Sequence, residues 1–214
     1  MPRNGIRALI LAAALIGWSG LVAPRLPVRW LVPIQAALGG VLVSSAEAPL
    51  GLRPPALWRG VRLGFAVVGA VAAAVGSSTA LPPVRHAMCE RELPRPASVW
   101  LLIRIPIGTV WSEEAAFRGA LGTVAAQAFG PRLGRVLQAT AFGLSHVADA
   151  RGAGESVGGT VLVTGVAGWA LGWLHDRAGS LVAPMLAHLA INEAGAVAAL
   201  LVKNQTSRLS ISSR

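Results

Sequence analysis

Along this chain, long apolar runs alternate with short polar joins. Ala8–Pro24, Trp30–Ala46, Leu63–Val84 and Ser156–His175 contain no Asp, Glu, Lys or Arg. Each is close to the ~20 apolar residues that a helix needs to cross a bilayer. Three further runs are equally apolar but interrupted. Ser98–Phe129 contains Arg104, Glu113, Glu114 and Arg118; Leu133–Ala148 contains Arg135 and His146; Leu181–Val202 contains His188, Asn192 and Glu193. The pattern predicts an all-α fold, a polytopic transmembrane helix bundle of about seven spans. An eighth follows if Pro106 divides Ser98–Phe129. Residues 1–202 are expected to form a single integral membrane domain, and 203–214 a polar disordered tail. The first run is read as an uncleaved span rather than a signal peptide, because Ser19–Ala23 is a poor cleavage region. Pro82–Pro96 is the longest expected link, while Gly130–Arg132 and Asp149–Glu155 are expected to be tight joins.

Composition supports this reading. The chain is 54% hydrophobic and 13% charged, against about 25% charged in soluble domains. Nine acidic residues in 214 cannot cover a water-exposed surface. A soluble globular domain, a disordered chain and a nucleic-acid-binding module are therefore poor readings. The net charge of +10 is spread between apolar runs, where it suits anionic headgroups rather than nucleic acid. The lipid bilayer is thus an expected partner and nucleic acid is not. Arg and Lys divide almost evenly between the two faces of a seven-span arrangement, so the positive-inside rule does not orient it. A single cysteine, Cys89, excludes an intrachain disulfide. The sequence leaves the oligomeric state open.

The ionisable groups inside apolar sequence gather in three segments. A charged residue at mid-bilayer costs about 2.5–3.5 kcal/mol on insertion scales, so such groups must face protein or water. Glu114 and Arg118 are four apart, share a helix face and can pair. Glu113 points about 100° away and is left without that arginine. An unpaired carboxylate in apolar surroundings is a candidate general base. His146 taken alone reads as a core histidine bonded to a neighbour. His188 and Asn192, four apart, read as an interhelical clamp. Together, Glu113, Glu114, Arg118, His146, His188 and Asn192 make a convergent polar cluster in lipid, the mark of a functional site.

Glu113-Glu114-x-x-x-Arg118, Phe142-x-x-x-His146 and His188-x-x-x-Asn192, in that order and each on an apolar segment, resemble the intramembrane CAAX-protease and bacteriocin-processing (CPBP, or Abi) family. That family includes the type II CAAX prenyl endopeptidases. The resemblance covers about residues 95–200. It implies an all-helical membrane protease, a peptide or membrane-protein substrate, and a multi-pass protein of a bacterial plasma membrane. Glu113 would activate water, Glu114 and Arg118 would orient it, and His146, His188 and Asn192 would face the scissile carbonyl. Two chemistries fit these residues. In a metalloprotease, His146 and His188 would hold Zn²⁺ with a glutamate and water. In a metal-free enzyme, Glu113 deprotonates water while His188 and Asn192 stabilise the oxyanion. The second is preferred, because Asn is a poor zinc ligand and a good oxyanion donor.

Competing readings are a non-catalytic scaffold or bacteriocin-immunity protein of the same fold and, more weakly, a small transporter. A pure clamp would not need Glu113 beside the Glu114–Arg118 pair. His-Glu-x-x-His is absent from the sequence, which disfavours zincin-like site-2 proteases. Gly17-Trp18-Ser19-Gly20 resembles the Gly-x-Ser-Gly of rhomboids but sits alone in the first run. His86 and His175 are expected to be solvated loop residues. Gly158, Gly165, Gly168 and Gly172 form a stripe of small residues expected to admit a neighbouring helix.

Overall fold

The computed structural model describes residues 3–212, with Arg3 and residues 206–212 described as backbone alone. The described residues are overwhelmingly helical, and no strand occurs among them. The helices are α1 (Arg3–Gly17, extended by further turns to Arg25), α2 (Val28–Ser45), α3 (Ala56–Ser78), α4 (Pro82–Glu90), α5 (residues 97–129), α6 (residues 131–145), α7 (Val147–Ala153), α8 (Val157–Ala178) and α9 (Val182–Ser212). Five stretches are long and apolar enough to cross a membrane: Asn4–Arg25, Val28–Ser45, Ala56–Ser78, Val157–Ala178 and Val182–Gln205. The motif-bearing helices α5 and α6 fall outside that set, α5 because of its charges and α6 because it is short.

The helix boundaries differ from the sequence expectation where a charge or a proline is accommodated. The third run was expected at Leu63–Val84, yet α3 begins seven residues earlier and stops at Ser78. It includes Arg59, whose Nε donates to the Ala178 carbonyl at 3.2 Å, so the charge is accommodated at the helix end. Pro82 then opens α4 as an N-terminal helix proline, the position where its missing N–H costs nothing. The long link Pro82–Pro96 is thus partly helical. Pro106 does not divide α5: the helix continues through it in π-wound turns from Trp100 to Trp111. The Asp149–Glu155 join is largely the short helix α7. Helix α9 continues to Ser212, past Val202, through a segment with neither Gly nor Pro to stop it.

Between α5 and α6 the chain reverses at Gly130, with φ 81° and ψ 164°, a conformation essentially restricted to glycine. The two helices close tightly: a Cβ on Gly134 would lie 2.6 Å from the Ala126 nitrogen. Helix α3 packs along α9, α8 packs against α6, and α1 and α2 cover α5 and α6. At the α6–α8 seam, a Cβ on Gly168 would lie 2.9 Å from Phe142 and one on Gly172 2.7 Å from Gln138 Oε1. The small-residue stripe therefore packs as expected at those positions. Gly158, with open space beside it, is not part of the contact.

The distribution of polarity is inverted relative to a soluble domain. Ile10, Leu102, Leu133, Leu162, Val163 and Val166 are exposed, whereas Glu114, Arg118, Gln138 and Ser180 are buried. A lipid-facing exterior needs no polar cover, and polar groups inside are retained only where protein satisfies them.

Candidate active site

The site is built on α5, α6 and α9. Glu113 and Glu114 are adjacent on α5 at the start of π-wound turns running from Glu114 to Leu121, a helix irregularity common at functional sites. Their environments diverge. The Glu114 side chain is fully buried, while that of Glu113 is 28% exposed. Glu114 Oε1 lies 3.1 Å from Arg118 Nη1, also fully buried, and 2.7 Å from His188 Nδ1. The expected Glu114–Arg118 pair is thus present and more deeply buried than an interfacial pair.

His188 is the hinge between the two carboxylates. Its Nδ1–H donates to Glu114, which directs Nε2 toward Glu113 Oε2 at 3.8 Å. A ring nitrogen fixed by a carboxylate sets the orientation of the other. Arg118 and Glu114 therefore orient His188 directly, a different division of labour from orienting Glu113. Asn192 spends one N–H on the His188 carbonyl at 3.1 Å. This bond ties it to its own helix and leaves its second N–H for the cleft.

His146 stands at the end of α6, its Nδ1 2.8 Å from the Phe142 carbonyl and 3.3 Å from Ser145 Oγ. A neutral ring so held carries its proton on Nδ1 and turns Nε2 away. Phe142 is the apolar centre of the cluster. Its ring meets Phe117, His146 and His188 edge-on at centroid distances of 5.1, 4.7 and 6.2 Å, and the Arg118 guanidinium lies 4.0 Å from its centroid. The motif contained this residue, but only the structure shows that it meets three members of the cluster, Arg118, His146 and His188. Such stacking is worth more when desolvated.

Glu113, His146 and Asn192 line one open cleft with Thr109, Asp149 and Thr160. Its inner end, between α1, α2 and α5, is lined by Leu15, Trp18, Leu38 and Phe117 together with Ser19, Glu113 and His146. Glu193, beside Asn192, lines neither part. Ser19 lines this space, but a serine mechanism needs a base bonded to its hydroxyl, and among the described hydrogen bonds none joins Ser19 to His146.

Two other histidines resolve differently. His86 is exposed on α4 and sits 3.2 Å from Glu90. His175 is not a solvated loop residue: it lies inside the last turn of α8, its side chain only 15% exposed and its Nε2 buried without a partner. The sequence signal was its place at the end of an apolar run, taken for a loop because Asp176 and Arg177 follow.

Among the described residues no group of three His, Cys, Asp or Glu side chains is arranged to hold a metal ion. His188 and Glu113 approach each other, but His146 does not complete a set with them, and Asn192 is a poor ligand for zinc. The residues present therefore do not fit a resident zinc ion, and no step below is routed through one.

Comparison with curated proteins and with solved structures finds no match. Residues 95–194, which hold all three motifs and the whole polar cluster, match the family model described as type II CAAX prenyl endopeptidase Rce1-like.

Proposed function

We propose that the protein is an intramembrane endopeptidase that hydrolyses a peptide bond with glutamate-activated water. The observation that supports this best is the division between the two neighbouring carboxylates. Glu114 is fully buried, its Oε1 bonded to His188 and paired with Arg118, whereas Glu113 lines the cleft beside His188 with its side chain 28% exposed. A structural clamp needs only the first. A carboxylate held in the second way is placed to take a proton from water.

The reaction follows from these positions. Water between Glu113 and the scissile carbonyl gives a proton to the Glu113 carboxylate as its oxygen attacks the carbonyl carbon. The carbonyl oxygen becomes an oxyanion, which accepts a hydrogen bond from the free Asn192 N–H, and from His188 Nε2 when that nitrogen carries hydrogen. Glu114 and Arg118 hold the His188 ring in place. The intermediate collapses with cleavage of the C–N bond, and Glu113 returns the proton to the leaving amine. His146, on the opposite wall, positions the peptide. The substrate is a peptide or membrane-protein segment entering from the open cleft.

The reading is tested by quantitative proteomics of membrane peptides from cells expressing wild type or Glu113→Gln at equal abundance. New amino termini present only with wild type support it. Identical peptide sets would favour a non-catalytic scaffold.

A further inference from the structure

Behind the Glu114–Arg118 pair lies a second chamber of about 270 Å³, lined by Arg118, Gln138, Gly172, His175, Pro49 and the Arg135–Asp176 pair. It is not part of the cleft. The cleft reaches α8 near Thr160, close to that helix's start, and the chamber reaches it at Gly172–Asp176, close to its end. Fifteen residues separate Thr160 from His175, about 22 Å along a helix axis. Pro49, in the link between α2 and α3, and Pro131, at the start of α6, also line it, so the chamber lies toward the other end of α8 from the cleft.

The unusual feature is what lines it. Arg118 contacts Glu114, but its Nε, Nη1 and Nη2 complete no hydrogen bond. Gln138, 1% exposed, leaves Nε2 without a partner, and His175 leaves Nε2 without one. Arg118 and Gln138 are donors at these atoms, and His175 is a donor there when Nε2 carries hydrogen. Buried polar groups are nearly always satisfied, and each left unmet is costly. Asp176 Oδ2 takes Arg135 at 2.7 Å and Glu114 Oε1 takes His188 at 2.7 Å, while Glu114 Oε2, buried and unbonded, does not line the chamber. The absent Cβ of Gly172 provides the room for the Gln138 amide, since a Cβ there would lie 2.7 Å from Gln138 Oε1.

We propose that this chamber is a binding site for a small oxyanion, a phosphate or carboxylate group, gripped by Arg118, Gln138 and His175. An acceptor-only guest fits a lining whose unpaired groups are donors, and charge-assisted bonds to guanidinium are the strong kind. The chamber is several times the ~30 Å³ share of one water molecule in the liquid. The same group could arrive as a free anion or on a lipid headgroup, since the chamber lies beside the α2–α3 link and the end of α8.

The test needs no protease assay, so it stands or falls apart from the proposed reaction. Thermal unfolding of the full-length protein in detergent is followed against inorganic phosphate and acetate, with chloride at equal ionic strength as control. The same measurement is made in nanodiscs of phosphatidylcholine with and without phosphatidylglycerol. A saturable rise in Tm with phosphate or acetate identifies a free-anion site. A rise confined to phosphatidylglycerol nanodiscs identifies a headgroup site. In either case Gln138→Leu and His175→Phe should each weaken the apparent affinity about tenfold, the loss expected for one charge-assisted or buried hydrogen bond. Should either variant fail to fold, Gly172→Ala, which displaces the Gln138 amide, is measured in its place. No anion-specific rise in any arm, or a rise unchanged in the variants, overturns the proposal and leaves the chamber to water.

Discussion

Glu113 and Glu114 are neighbours in sequence and opposites in setting. One lines the cleft and is 28% exposed; the other is sealed against Arg118 and His188 with no exposure. The helix makes this separation unavoidable, because adjacent residues lie about 100° apart. A single turn of α5 thus supplies both a group free to react and a group that fixes the geometry around it. In the proposed reaction the inner region contributes structure, the cleft region contributes chemistry, and His188 joins them through its two ring nitrogens.

The comparison predicts that variants on the two sides fail differently. The largest effect is expected for Glu113→Gln, which keeps shape but loses the proton acceptor. Cleavage should fall by about 10²–10⁴, the contribution typical of general base catalysis, with Tm unchanged. Measured cleavage within a few-fold of wild type would remove Glu113 from the reaction.

Arg118→Ala should show the reverse order of damage. It strands the buried Glu114 carboxylate, and breaking a buried pair costs about 3–5 kcal/mol. Membrane abundance and Tm should drop, and activity should fall with them. Normal abundance in a pulse-chase experiment would show that the inner pair is dispensable.

Asn192→Ala lies between. Loss of one oxyanion donor costs about 10²–10³ in rate, and removal of a bond to its own helix should barely move Tm. A rate loss with KM unchanged supports the donor role, whereas a change in KM alone would make Asn192 a binding group.

The mildest change is Gly168→Ala. Its Cβ would lie 2.9 Å from Phe142, and overpacking typically costs about 1–3 kcal/mol, partly offset by the roughly 1 kcal/mol better helix propensity of alanine. A small Tm loss with a larger loss of activity is expected, because Phe142 touches both histidines. Equal small losses would show that Phe142 does not transmit strain to the site.

Much of this was readable in the chain because a bilayer imposes simple rules. Charge-free runs became helices, and the i,i+4 spacing of Glu114 and Arg118 produced a close pair. The order of the three motifs agrees with the family match over residues 95–194. What was misread turned on charge at span ends. Arg59 and Arg62 precede the charge-free run, yet α3 includes both, since an arginine near a helix end can reach a carbonyl, as Arg59 does. The same error turned His175, followed by Asp176 and Arg177, into a loop residue. Pro106 was weighed as a break, but π-wound turns absorb its missing N–H. The bond from His188 to Glu114 joins residues 74 apart, a distance no local pattern encodes.

The most direct test pairs two measurements on membranes carrying wild type, Glu113→Gln or Glu114→Gln: the yield of wild-type-dependent peptide termini and the unfolding temperature of the protein. Glu113→Gln should unfold with the wild type and produce no such termini, while Glu114→Gln should unfold earlier. Termini persisting in Glu113→Gln, or a Tm loss equal in the two variants, would contradict the division of roles between the two carboxylates.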